Sequence, residues 1–182
     1  MGVIMAGVVT KIATGTPSGV YDLTFAGISG SYDDLLIIGS IKGSHTGGSA
    51  FSNCTLNMRF NGDTGANYFY LYQQAIDSST KGSVQATGTN GMILPIIPTS
   101  TSSNTGWGQF RVLIPGYSDG SGNAAKRVSH LGGYGQGSHG SATTRGNHGW
   151  TSTAAITSVG FFVDWYNFVA GSTMTLYGIT NA

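Results

Sequence analysis

Asn167-Phe168-Val169-Ala170-Gly171-Ser172-Thr173-Met174-Thr175-Leu176-Tyr177-Gly178-Ile179 decides the fold class. An aromatic elbow at Phe168 leads into a Gly-Ser turn, after which Met174, Leu176 and Gly178 alternate with Thr175 and Tyr177. Period-two alternation sends successive side chains to opposite faces, so the stretch reads as a half-buried strand that finishes a β domain. The sequence ends three residues later, and the expectation is a function carried by β surfaces and their loops rather than by a terminal helix or tail.

The rest of the 182-residue chain repeats this signal. All seven acidic residues are Asp, there are 30 glycines, and charged residues make up only 8% against about 25% in an average domain. Glu, a good helix former, is missing, while Gly, Ser, Thr and Asn favour turns. Disorder is excluded, because 40% of the residues are hydrophobic, 11% are aromatic and the net charge is +1. Nine segments have β-type composition between turn-rich clusters: 20–28, 35–42, 54–60, 68–73, 82–93, 108–114, 127–134, 156–163 and 173–179. The intervening 43–52, 61–67, 98–106, 117–123 and 135–147 read as turns or loops. An all-β domain follows: a jelly-roll-like antiparallel β-sandwich of about eight strands over residues 20–182, preceded by an N-terminal arm, 1–19. An immunoglobulin-type sandwich is the second choice, disfavoured by length and by the lack of a Cys pair around a Trp.

Near-neutral charge gives no broad field for phosphate backbones or anionic lipid, so neither nucleic acid nor membrane is an expected partner. A weakly charged surface also gives little repulsion between copies, which argues for self-association. Cys54 is the sole cysteine; it shares an apolar strand face with Leu56, Met58 and Phe60 and reads as a small buried hydrophobe. The apolar start Met1–Val9 has no preceding basic residue and is cut short by Lys11, so it reads as neither signal peptide nor membrane anchor. Val3, Ile4, Met5, Val8 and Val9 instead read as an arm that packs on its own domain or on a neighbouring subunit, and Phe161 and Trp165 of the bulky run Phe161-Phe162-Val163-Asp164-Trp165 are candidate contacts with another subunit.

Several strings imitate catalytic motifs. Asp63-Thr64-Gly65 matches the aspartic-protease triplet, yet Asn61-Gly62 precede it and no second copy exists, so a turn is expected. Gly135-Gln136-Gly137-Ser138-His139-Gly140 matches a dinucleotide fingerprint without the helix that a pyrophosphate needs. His45, His130, His139 and His148 have no compact metal-ligand spacing and are expected as solvated or hydrogen-bonded loop residues; a site shared by His139 and His148 across one loop is the alternative. No enzyme, cofactor or metal is expected. Tyr68, Tyr70 and Tyr72 alternate along one strand and read first as a core-facing or subunit-facing stripe. With Trp107 and Trp150 they are also the candidates for a surface that holds glycan.

Four marks resemble a family of small β proteins of tailed bacteriophages, of the tail-fibre or head-decoration type. They are Tyr32-Asp33-Asp34-Leu35; Met58 through Tyr68, with Arg59-Phe60-Asn61-Gly62-Asp63-Thr64-Gly65-Ala66-Asn67 between; Val112-Leu113-Ile114-Pro115-Gly116-Tyr117; and Trp150 followed by Ala155-Ile156-Thr157-Ser158 and Leu176-Tyr177-Gly178-Ile179. The resemblance implies a virion structural protein, a jelly-roll-like sandwich, a homotrimer and no catalytic residues to carry over. The leading expectation is a capsid decoration or cement protein on the outer surface of the head, bridging major capsid protein subunits. The alternative is a receptor-binding tail-fibre tip that holds host surface glycan.

Overall fold

The computed structural model describes residues 7–44, 53–76, 80–100, 106–121, 125–135, 141–164 and 166–181. Two sheets face each other. The first has eight strands in the order β1 (Val8–Gly15), β13 (Thr173–Thr180), β3 (Asp34–Ile41), β9 (Gly108–Pro115), β10 (Lys126–Gly135), β11 (Ser141–Trp150), β6 (Tyr68–Ile76) and β7 (Thr80–Thr89), all antiparallel. The second has five, in the order β2 (Asp22–Phe25), β12 (Val159–Val163), β5 (Asn53–Phe60), β8 (Met92–Ser100) and β4 (Gly43–Ser44), with β4 and β8 parallel. The fold is thus an all-β, jelly-roll-like sandwich, with more and shorter strands than the nine segments read from the sequence.

Alternation places the core. In β9, Phe110, Val112 and Ile114 are buried while Gln109, Arg111 and Leu113 point out; in β13, Met174, Leu176 and Gly178 point in, as the closing stretch requires. Leu35 and Ile37 from β3 meet Leu56, Met58 and Phe60 from β5 between the layers, and Phe161 packs on Phe25 and Phe110. Burying each such side chain contributes about 1.5–3 kcal/mol. Cys54 is buried too, and burial together with Asp164 pushes its thiol up to about 12, so it behaves as a hydrophobe.

Three differences from the sequence reading have physical causes. The described part of the 1–19 arm is largely strand: β1 pairs along β13 from Val8↔Thr180 to Gly15↔Met174. The segment 82–93 is two strands, since the chain leaves the large sheet after Thr89 and enters the small one at Met92. Residues 141–147, expected as loop, belong to β11, which pairs with both β10 and β6. Pairing on both sides satisfies the backbone of a Gly-, Ser- and Thr-rich segment whose own propensity is poor.

The loops at the strand ends are tied together by hydrogen bonds. Asn61 and Gly62 both take positive φ, at 51° and 67°, and the turn closes with Asp63 N donating to Phe60 O at 2.9 Å. Asn61 Oδ1 accepts from Thr157 N and Ser158 N at 2.8 and 3.0 Å. Asp34 Oδ1 accepts from Gly116 N at 3.0 Å, and Tyr32 N donates to Tyr117 Oη at 3.4 Å. These bonds tie the Asn61 turn to residues 157–158 and the segment from Tyr32 to Asp34 to Gly116 and Tyr117.

Candidate functional site

The outer face of the eight-stranded sheet carries half of the exposed large hydrophobic side chains among the described residues: Ile38, Leu71, Leu113 and Leu131. Ladder registers place its residues in rows that cross the strands. One row runs Leu36, Leu113, Ser129, Asn147, Leu71 and Gln85. The next runs Ile38, Arg111, Leu131, Arg145, Gln73 and Ser83 through the same pairings. Ile38, Leu71, Leu113 and Leu131 are exposed at 46%, 50%, 37% and 41%. The three leucines line a shallow depression of about 920 Å³ that reaches from Ile179 and Leu36 on one side to Ser83 on the other.

The face is also one-signed. Of eight cationic residues, Arg111, Arg127, Arg145, Lys81 and Lys11 lie on the outward parity of their strands, opposite Leu131, Pro115, Gln73, Ala75 and Tyr177 or their row neighbours. Asp34 is the one described carboxylate on this parity. It sits at the rim beside Pro115 and already accepts from Gly116 N and Asn181 Nδ2. Arg145 is oriented by Gln73, whose Oε1 accepts from its Nε and Nη2 at 3.0 and 2.8 Å. Arg127 lies over the Phe69 ring at 5.4 Å.

The other three cations are engaged elsewhere. Lys126 is buried and donates to the carbonyls of Gly116 and Asp119, tying the start of β10 to the preceding loop. Arg59, on the small sheet, donates to Asn90 O and covers Phe162. Lys42 stands 5.0 Å from the Trp107 ring, and burial lowers its pKa.

On the opposite side of the same strands lies a buried polar pair. His130 of β10 and His148 of β11 stack with centroids 4.7 Å apart, and His130 Nδ1 is 2.5 Å from His148 Nε2. Tyr72 packs on His130 and Tyr70 on His148. His130 Nε2 is 3.3 Å from Thr144 Oγ1, which donates to Gly132 O. Burial lowers both imidazoles, His130 to about 4 and His148, with help from His130, to about 3. The loop placement expected for these two histidines is therefore corrected: β11 carries His148 inward beside His130. His45 and His139 lie outside the described residues, and so does the alternative of a site shared by His139 and His148. Among the described residues no three His, Cys, Asp or Glu side chains gather as a metal cage.

Most of the aromatic candidates are structural. Tyr68 is fully buried, stacked on Trp150 and hydrogen-bonded to Phe60 and Asp63 through its hydroxyl. Tyr72 and Trp150 are buried as well, and Tyr70 is half-buried. The alternating tyrosines thus form the core-facing stripe, and these side chains offer little area to a glycan. Trp107 is half-buried and rests against Gly171, whose positive φ of 92° turns the chain beneath it. Phe161, a candidate contact with another subunit, is buried between the sheets because Phe25 and Phe110 enclose it. Val8 and Val9 are exposed on edge strand β1. Val3, Ile4, Met5 and Trp165 lie outside the described residues.

Sequence reasoning missed the outer face because its arginines come from separate strands. The available signal was parity: Arg111 and Leu113 alternate with Phe110, Val112 and Ile114, so one leucine had to share the outward side with an arginine. Comparison with family profiles, with characterised proteins and with solved structures gives no match.

Proposed function

We propose that this chain is a structural protein of a tailed-phage virion, of the head-decoration type, which binds a protein lattice through the outer face of its eight-stranded sheet. The observation that carries the reading is the set of exposed Leu and Ile side chains in two adjoining rows of that face. Large apolar side chains exposed side by side on a sheet mark contact surfaces. Seven strand spacings of about 4.8 Å and strands about 26 Å long give a face of roughly 900 Å², close to the roughly 800 Å² that one partner buries in a standard interface. A protein that binds only the assembled lattice stabilises it by mass action. Copies of the chain associate, in this reading as a homotrimer, through other surfaces such as the β1 edge.

The test is to add the purified protein to phage heads that lack it, then measure co-sedimentation and the temperature of genome release. Binding with a raised release temperature supports the cement role, and absence of head binding removes it. The second reading, a tail-fibre tip, is favoured by the hydrogen-bonding side chains Gln73, Asn147, Arg111 and Arg145 in the same depression. Glycan-array binding together with adsorption to host cells would select it.

A further inference from the structure

The charge on the outer face names the chemistry of its partner. We propose that this face docks an acidic amphipathic segment of another protein, whose carboxylates pair with Arg111 and Arg145 on either side of an apolar side chain seated on Leu131. The inference rests on the reading of the face as a protein-docking surface, and it does not require the phage assignment.

Three observations select this occupant. Among the described residues five cations share the face with one rim carboxylate that is already hydrogen-bonded, so the complementary surface is negative. A second copy of the same face would set cations against cations. The side chain between the arginines is aliphatic, Leu131, with Leu113 diagonal to it in the adjoining row beside Ser129 and Asn147, and Leu71 beyond Arg145. Sugars stack on aromatic rings, and of the rings at the edge of this floor Phe69 lies under Arg127 while Tyr177 is half-buried beside Leu36. Leucines instead take apolar side chains, while guanidinium groups take carboxylates in paired hydrogen bonds.

Spacing makes the proposal specific. Arg111 and Arg145 occupy one row, separated by the single strand that carries Leu131, which places them two strand spacings, about 9.6 Å, apart. A helix laid across the strands presents Glu at positions i and i+7 about 10.5 Å apart, with Leu at i+3 and i+4 between them on the same side. Gln73, on the side of Arg145 away from Leu131, fixes the guanidinium through Nε and Nη2 and so lowers its ordering cost, leaving Nη1 and the second Nη2 hydrogen for a carboxylate.

The experiment uses the full chain and two synthetic helical peptides, one with Glu at i and i+7 around a Leu pair, the other identical but with Gln for Glu. Affinities are read by fluorescence anisotropy at low and high salt. The expected result is binding of the Glu peptide at least tenfold tighter than the Gln peptide, weakened by salt. The double variant R111Q/R145Q and the single variant L131S each reduce it tenfold or more. R59Q, on the other sheet, leaves it unchanged, and circular dichroism confirms that every variant is folded. Equal binding of the two peptides, or none at millimolar concentration, overturns the proposal. So does arginine-dependent binding of a sulfated or uronic oligosaccharide without binding of the Glu peptide. Failure on phage heads with success on the peptide removes the virion reading alone; the reverse removes the acidic partner alone.

Discussion

His130 Nδ1 lies 2.5 Å from His148 Nε2 in the buried layer of the eight-stranded sheet, and the two rings stack at 21°. Thr144 donates to Gly132 O, which leaves its lone pair for a proton on His130 Nε2. His130 Nδ1 then accepts from His148 Nε2–H, and the unpartnered buried atom, His148 Nδ1, is a lone pair rather than an orphaned N–H. That tautomer chain needs both rings neutral. Their pKa values of about 4 and about 3 lie below the roughly 6.5 of an unfolded imidazole, so the unfolded chain binds more protons across that window. Stability is full above about pH 6.5 and is lost as pH falls toward the folded values, by up to about 1.4 kcal/mol per pH unit per ring. Urea unfolding at pH 7 and pH 4.5 should show a loss on the order of a few kcal/mol, and H148L should flatten the profile substantially. A wild-type profile without slope across pH 6.5 to 4.5 would mean that the rings are not buried neutral.

Asp63 gives the opposite kind of site, a charge kept at the surface. Its carboxylate accepts from Trp150 Nε1 at 2.6 Å, Gly65 N at 2.8 Å and Asn67 Nδ2 at 2.9 Å. These bonds, that from Trp150 first, lower its pKa. The contribution is present above the usual carboxylate range and fades as pH falls through the lowered value. D63A should cost about 1–2 kcal/mol and shift Trp150 fluorescence to the red as water reaches the indole. An unchanged melting temperature with unchanged fluorescence would show that the clip does not hold the turn.

Much of the fold was legible because alternation reports which side chains enter the core. Leu35, Cys54 through Phe60, Phe110 through Ile114 and Met174 through Gly178 follow it closely. The β11 segment was not legible: Ala142, Thr144 and His148 alternate inward, but Thr and His have no apolar contrast with their neighbours, so the period is invisible without the partner strand. The outer face stayed hidden for a related reason. Arg111, Leu131 and Arg145 become a row only through the β9–β10–β11 register, and two hairpin registers are not encoded in any single stretch.

Glycine sets one close approach in the core. Gly39 in β3 pairs with Phe110, whose ring fills the space that a Cβ at position 39 would take. G39A must push that ring against Phe161, 6.0 Å away between centroids, and overpacking of this kind costs about 1–3 kcal/mol. Gly82, with open space around it, is the matched control, where alanine should change stability by no more than about 0.5 kcal/mol. Equal effects of the two substitutions in thermal melts would contradict the packing.

Strand β1 is where self-association is expected to begin. It forms one edge of the large sheet, paired among the described residues only to β13, which leaves the other side of its backbone to extend a ladder. Val8 through Lys11 are all exposed, with Val8 and Val9 at 58% and 59%. An unprotected edge that also bears exposed β-branched residues pairs readily with another chain, and a charged side chain there is the usual block. Lys11 supplies such a charge only at the inner end of this exposed run. V9K should therefore lower the mass seen in multi-angle light scattering from a multiple of 18.8 kDa to a single chain, with no loss of the monomer's own thermal stability, since Val9 packs little in the isolated domain. L131S, on the outer face, should leave that mass unchanged while reducing binding of the acidic peptide. If V9K keeps the wild-type mass and L131S lowers it, the two surfaces have been assigned the wrong way round.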